Sequence, residues 1–390
     1  MPLINEPVQV VECYPFEDIP SNYIAFSGEN TLSVHRYEIK KNDNGEVSCI
    51  FLGGEDPESE IYKNNKVVVS TGQSYITAIS FAPLDSTQKH LTLCTVNSDR
   101  SLNIYQSLGE SLKDFELKLT LFEQHSSDIN DATFIYDRPE DLKIASGGDD
   151  RYLRITSLVN QTLLKERLFQ SSITSLDSFG TTLLVAEQNG SLHIFNTQDD
   201  LYTQTTIKLS IGANVPSLTS SDPTQSDDEM STNEEEDTSD RFAVGKPKRT
   251  PHNVSPLMDA SIHPLYQNII GCVSGDHYFI YDMGNPKLPL DHGVAHISGA
   301  KYFRWAPTLD MTFATGSSYD VVKIWKVKEG QRATVMQTHK QDYRIGGMSW
   351  TNYETHANLQ QLNKNEIQVG EEAKYCVVGG DRKIHLYVTH

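Results

Sequence analysis

A short strand pattern, apolar-x-x-apolar-x-apolar, recurs seven times along the chain, and nothing else in the sequence constrains the fold as tightly. Its copies are Val8/Val11/Cys13, Ile76/Ile79/Phe81, Ile129/Ala132/Phe134, Ile173/Leu176/Ser178, Leu257/Ala260/Ile262, Ala300/Phe303/Trp305 and Ile345/Met348/Trp350. A proline follows two residues on in four of them, at Pro15, Pro83, Pro264 and Pro307. The fourth copy is the weakest, with Ser178 where the others end on an apolar side chain or alanine-sized equivalent.

A second signature, apolar-x-apolar-aromatic, lies downstream of each copy. It reads Leu32/Val34/His35, Leu102/Ile104/Tyr105, Leu153/Ile155/Thr156, Leu192/Ile194/Phe195, Tyr278/Ile280/Tyr281, Val322/Ile324/Trp325 and Ile384/Leu386/Tyr387. Six residues before its last position stand Glu29, Asp99, Asp150, Asn189, Gly275, Tyr319 and Asp381. Asp276 and Asp320 lie one place later in the fifth and sixth copies. Asp, Asn and Gly suit tight turns, through side-chain capping or positive φ. Short alternating strands between turn residues, without a long helical period, predict an all-β protein.

The first anchors are 68, 53, 44, 84, 43 and 45 residues apart. The short intervals match the ~40–45-residue period of WD repeats. Two histidines strengthen the match: His125 and His296 precede their strand anchors by the same 4, 7 and 9 positions. The chain resembles the WD40 β-propeller family, and the resemblance implies a single seven-bladed, all-β propeller over residues 1–390. It also implies a hydrogen-bonded tie within a blade, made here by His125, Ser146 and Asp150, with Thr156 at the position of the family's tryptophan. The repeats are degenerate, since only Trp325 occupies that tryptophan position.

Unequal spacing locates three insertions. Residues 40–65 are expected as a loop between the third and fourth strands of blade 1, with Lys66–Ser70 the fourth strand. Residues 352–372 are expected between the first and second strands of blade 7. Both then leave the same end of the ring on adjacent blades, which predicts a composite platform, against the alternative of two unrelated surface loops. The third insertion, 211–253, lies between blades 4 and 5 at the opposite end, if Leu201–Ser210 is a fourth strand. Between Ser221 and Asp240 it carries nine acids and no base. Too few apolar groups offset its ordering entropy, so disorder is expected. Ser226 with Glu229 and Thr232 with Glu235 have acid-directed kinase spacing, and Thr250-Pro251 is a proline-directed site. Lys246-Pro247-Lys248-Arg249 reads as a weak nuclear-import signal or, more simply, as solvated loop. The short segment Pro2–Glu6 is expected to pair poorly with blade 7, leaving the edge at Lys383–Val388 partly open.

Charge and composition narrow the function. Fifty-two acidic against 33 basic residues give a formal net charge of −19, which disfavours broad contact with phosphate backbones. No stretch approaches the ~18 apolar residues of a membrane span, and the N-terminal residues lack a secretory pattern. Cys13, Cys49, Cys94, Cys272 and Cys376 are too scattered for zinc spacing and read as small buried residues in a reducing compartment. The sequons at Asn160, Asn189 and Asn253 then carry no meaning.

No phosphate loop, nucleotide fingerprint or nucleophile elbow is present. Gly271–Gly275 comes nearest the last with the wrong spacing. His292 and His296 have ligand-like separation, but His296 belongs to the structural element above. The acid pairs Asp149/Asp150 and Asp199/Asp200 lie at turns with nothing to split their pKa values. No equivalent polar position is seen to repeat toward a central channel. No catalytic, cofactor-binding or metal-binding residue is assigned, and no small-molecule substrate.

Several stretches are similar, in order and position, to the small WD-repeat nucleoporins of the Y-shaped outer-ring complex. They are 8–17, Ile129-Asn130 with 144–150, 184–190, 303–305 with 313–315, and 376–383. That likeness implies a non-catalytic scaffold at the nuclear envelope. It would dock on a large propeller-plus-helical nucleoporin in the short arm of the Y, supporting mRNA export and protein import without touching nucleic acid or membrane. Two other binding roles remain open: a substrate receptor of a cullin ubiquitin ligase and a histone-tail adaptor. The first is weakened because Trp325-Lys326-Val327-Lys328 stands where such receptors carry Trp-Asp-x-Arg. An enzymatic propeller is the alternative of a different class.

Overall fold

The spacing i, i+3, i+5 cannot be met by a regular strand, whose side chains alternate with period 2. One extra residue must be accommodated between the first and second anchors, and the computed structural model shows a β-bulge there. It falls at Thr77, Asn130, Thr174, Met258 and Lys301 in five successive first strands. The bulge returns the next two anchors to the apolar face and turns the extra side chain aside. The structure describes residues 8–15, 22–29, 31–41, 47–51, 66–71, 74–82, 90–107, 116–135, 142–199, 201, 203–209, 255–307, 309–328, 330–351, 374–380 and 383–389.

Among these residues the strands form seven antiparallel sheets, one per repeat. Blade 1 contains β1 (Val10–Cys13), β2 (Asn22–Ser27), β3 (Thr31–Lys41), β4 (Val47–Phe51) and β5 (Lys66–Ser70). Blade 2 is β6 (Ile76–Ala82), β7 (Thr92–Asn97), β8 (Leu102–Gln106) and β9 (Glu116–Leu121). Blade 3 is β10 (Ile129–Ile135), β11 (Lys143–Gly148), β12 (Tyr152–Ser157) and β13 (Thr162–Leu168). Blade 4 is β14 (Ile173–Phe179), β15 (Thr182–Glu187), β16 (Ser191–Asn196) and β17 (Thr203–Lys208). Blade 5 is β18 (Leu257–Ile262), β19 (Ile269–Ser274), β20 (His277–Asp282) and β21 (Asp291–Val294). Blade 6 is β22 (Ala300–Trp305), β23 (Thr312–Ser317), β24 (Val321–Lys326) and β25 (Thr334–Lys340). Blade 7 is β26 (Gly347–Trp350), β27 (Lys374–Gly380) and β28 (Lys383–Thr389).

The first strands touch in the order β1, β6, β10, β14, β18, β22, β26 and back to β1, so the ring is closed. Between blades the apolar faces pack as separate wedges. Ile135, Ala145, Leu153 and Ile155 of blade 3 meet Leu176, Leu183, Val185 and Phe195 of blade 4. Complete burial of a side chain such as Phe195 contributes about 1.5–3 kcal/mol. At the closing joint Val8, Val11 and Cys13 pack with Ile24, Phe26 and Tyr37 against Val377, Ile384 and Leu386. Gly346 belongs to this joint, because a Cβ there would lie 2.2 Å from the Val8 carbonyl oxygen.

One departure from the expected loops follows. Residues 40–65 are not loop throughout: β3 runs on to Lys41, and its far half pairs with β4 from Tyr37↔Phe51 to Lys41↔Val47. The fourth strand of the blade is β5, which pairs with the near half of β3. This extra hairpin leaves blade 1 at the ring closure, and β4 lies against β28 of blade 7. Thr31 to Lys41 can continue past the blade because Val34, His35 and Tyr37 are buried at its base. Residues 211–253 with their phosphorylation and import motifs, residues 352–372 and the segment Pro2–Glu6 lie outside the described residues.

Candidate functional site

The turn chemistry is as the residue types demand. Asp99, Asp150 and Asn189 each accept a hydrogen bond from the amide two residues on, at 3.0 Å in all three. Gly275 fills the same place with φ +60°, which a side chain would strain. In blade 3 the tie expected from His125, Ser146 and Asp150 is assembled. His125 Nδ1 lies 3.0 Å from Asp150 Oδ1, and its Nε2 lies 2.8 Å from Ser146 Oγ. Arg154 adds a 2.9 Å contact to Asp150. Burial lowers the His125 pKa despite Asp150, so the ring is neutral at pH 7. Burial alone would raise the Asp150 carboxyl; hydrogen bonds from His125 and the Tyr152 amide bring it below its ordinary value.

Blade 6 builds the tie without the aspartate. His296 Nε2 lies 2.9 Å from Thr315 Oγ1, which also accepts the Trp325 indole N–H at 2.9 Å. Blade 4 uses a third solution, in which buried Glu187 accepts the Ser171 amide at 2.7 Å and meets His193 at 2.8 Å. Thr156, at the tryptophan position of blade 3, donates to Gln124 Oε1 instead. Each arrangement fastens a second strand to the connection that precedes its blade, so these histidines serve structure.

The channel corrects the sequence reading, which found no repeating polar position. The residue between the second and third anchors is polar in all seven first strands: Glu12, Ser80, Thr133, Asp177, Ser261, Arg304 and Ser349. Two residues earlier stand Asp131, Ser175 and Asp259 in blades 3, 4 and 5. Since the anchors face the wedges between blades, these positions face the axis. The pattern was missed because polar types differ from copy to copy, while the anchors repeat in kind.

The hydrogen bonds show what these groups are for. A first strand is the inner edge of its sheet, and its outward amides need partners. Asp131 accepts the Leu176 amide at 2.8 Å, Asp177 the Ile262 amide at 2.8 Å, and Asp259 the Phe303 amide at 2.8 Å. Ser349 accepts the Cys13 amide at 3.1 Å. Every one of these bonds runs from one blade to the next, in the same register. Trp305 and Trp350 donate in the same direction, from side chain to the backbone of the preceding blade, at the Ser261 and Arg304 carbonyls at 3.1 Å each. Ser178 donates to the Phe134 carbonyl, which explains the polar residue in the weakest repeat.

One cation balances the acids. Arg304 pairs with Asp259 and is held further above its ordinary pKa by Asp259, Glu12, Asp131 and Asp177, against the cost of burial. Burial pushes the Glu12 carboxyl up to about 8, with Arg304 and the Ser349 hydroxyl opposing. Burial likewise lifts Asp131 to about 7 and raises Asp177. Asp131, Asp177 and Asp259 accept backbone amides, Glu12 accepts the Ser349 hydroxyl, and Asp259 also meets Arg304. Among the described residues no group of three or more His, Cys, Asp and Glu side chains is placed to hold a metal ion.

A cavity of about 490 Å³ opens beside the blade 3 tie, lined by Arg100, Phe122, Glu123 and Arg154 among others. Its walls mix charges of both signs with one exposed ring, a surface suited to a polypeptide more than to a small polar ligand.

No protein-family profile matches the chain. Nucleoporin Nup37 of Mus musculus is 25% identical over 401 residues, a match that covers 98% of this chain and 94% of the relative. Nucleoporin Nup37 of Homo sapiens is 24% identical over 397 residues, with the same coverage. The chain is a seven-bladed β-propeller that resembles Nup37. Similarity to Nup37 spans nearly the whole polypeptide, so it is a likeness of the complete ring and not of a few generic repeats. Among solved structures, Raptor of Chaetomium thermophilum superposes with a TM-score of 0.60 at 15% identity. All of this chain is covered there but only 28% of Raptor, and at that identity the match supports the fold alone.

Proposed function

We propose that the chain is a non-catalytic scaffold subunit of the nuclear pore complex, seated in the Y-shaped outer ring at the nuclear envelope. Its partner there is a large nucleoporin that joins a propeller to a helical solenoid, and transport of mRNA and protein depends on it indirectly. Whole-length similarity to Nup37 is the observation that carries this reading. The channel supports it in one respect, since its polar side chains staple neighbouring blades together.

We place the docking platform at the ring closure, a reading supported by the β3–β4 hairpin, which stands against β28 of the adjacent blade. Affinity purification of the tagged chain under gentle lysis, followed by identification of its companions, tests the assignment. Co-purifying Y-complex subunits in near-equal amounts are expected. Cullin adaptors or histones in their place would replace it with the corresponding binding role, and a measured turnover would overturn the non-catalytic reading.

A further inference from the structure

Blade 6 breaks the surface rules of the other repeats at the ring end that carries the turns between second and third strands. Where blades 2, 3 and 4 place Asp99, Asp150 and Asn189, it places Tyr319, which is 60% exposed. The capping task has moved: Ser317 Oγ accepts the amides of Tyr319, Asp320 and Val321 at 3.2, 3.0 and 2.9 Å. The preceding connection carries Ile297, one residue past His296, where the connection after blade 2 has Ser126 one residue past His125. Ile297 is 94% exposed. The two turns are joined, since the Ser318 amide donates to the Gly299 carbonyl at 3.0 Å. Neither side chain supports the fold, and both expose apolar surface to water.

The setting is basic. Lys301, Lys323, Lys340 and Arg344 stand at this end of the blade, whereas Arg304 belongs to the channel and Lys326, Lys328 and Arg332 to the opposite end, in a protein whose formal charge is −19. Lys323 lies under the Ile297 turn, donating to the Ala295 carbonyl at 2.7 Å. Lys301 is the bulged residue of its strand and donates to the Tyr302 hydroxyl at 2.6 Å. Arg344 adjoins Ile345, whose amide donates to the Tyr319 carbonyl at 2.7 Å. Among the described residues Lys301, Lys323 and Arg344 have no carboxylate partner, whereas Lys340 is 3.8 Å from Asp320. Two other acids are close by: Asp342, exposed beside Arg344, and Asp276, whose carbonyl accepts the Ala295 and His296 amides and whose carboxylate meets His277. An exposed ring and aliphatic side chain among unpaired cations is the composition of an interaction hot spot for a segment of opposite charge.

We propose that this end of blade 6 docks an acidic peptide segment of a partner protein, with Ile297 and Tyr319 gripping an aliphatic or aromatic anchor and the surrounding cations holding its carboxylates. The surface belongs to the ring end opposite the hairpin and insertion described above, and it does not rest on the nuclear-pore assignment.

The test is selection from a displayed random dodecapeptide library on the intact protein, with counter-selection on the Ile297→Ser/Tyr319→Ser variant. Both positions are exposed, and an unchanged melting curve verifies the variant. Enriched peptides should combine several Asp or Glu with one large apolar residue. Fluorescence anisotropy with one such labelled peptide should show Kd weakened about tenfold or more by the double variant. Lys301→Glu/Arg344→Glu should weaken it separately, and raised salt should too. No enrichment, enrichment of basic or neutral peptides, binding undiminished by both variants, or a face that serves only to pair two copies of the chain would each overturn the proposal.

Discussion

The Cys13 amide donates to the Ser349 hydroxyl at 3.1 Å, joining residues 336 positions apart in the sequence. The same hydroxyl donates to Glu12 at 3.2 Å, so one serine of blade 7 fastens both backbone and side chain of blade 1. Ser349→Ala leaves a buried amide without its acceptor. A loss of about 1–3 kcal/mol in urea unfolding at unchanged m-value is expected. A loss below 0.5 kcal/mol would show that the apolar wedge alone closes the ring.

The channel carboxylates give stability a definite pH dependence. Glu12 rises from an ordinary 4.5 to about 8 and Asp131 from 3.8 to about 7, so folding takes up protons between those limits. Their contribution is complete below the unfolded values and is lost as pH climbs through the folded ones. The melting temperature should therefore fall between pH 6 and pH 8.5. Glu12→Gln, which stays neutral throughout, should flatten that fall and melt above the wild type at pH 8.5. A variant that melts lower at pH 8.5 and retains the full slope would contradict the account.

The blade ties predict the opposite slope in acid. Asp150 is held below its usual range, so its stabilisation exists above pH 4 and disappears as pH drops through the folded value. His125→Ala and Asp150→Ala should each cost about 1–3 kcal/mol at pH 7, and the pair should fall short of additivity because the residues share one network. Denaturant titration of the two single variants and the double variant measures the coupling. Full additivity would mean that the 3.0 Å contact contributes nothing.

Docking at the ring closure predicts a separation of binding from stability. Removing residues 353–370 should weaken association with the large nucleoporin while leaving the melting transition where it is. Calorimetric titration of the two proteins reads the first and a thermal scan the second. Undiminished affinity would place the contact elsewhere on the ring.

The strands were legible because buried anchors must be apolar whatever else varies, and seven copies repeat them. The blade 3 tie was legible through the family resemblance, which names His125, Ser146 and Asp150 as its members, and the structure brings the three together. The channel was not: an amide acceptor there can be Asp131, Asp177 or Ser349, so chemistry is kept while residue identity is not. The bulge was present in the pattern itself, since three residues separate Ile129 from Ala132 where an even number would keep a strand flat-sided. The β3–β4 hairpin escaped because its pairing, from Tyr37↔Phe51 to Lys41↔Val47, belongs to no repeat. Tyr319 read only as a substitute at the turn position and Ile297 carried no signal in the sequence; their exposure marks them out.

Imaging of the chain tagged at its own locus tests the central claim most directly, because a scaffold subunit must reside where its assembly does. A punctate nuclear rim coincident with other pore subunits, persisting through photobleaching on the timescale of a stable component, is the predicted result. Diffuse nucleoplasmic or cytoplasmic fluorescence with rapid recovery would contradict it.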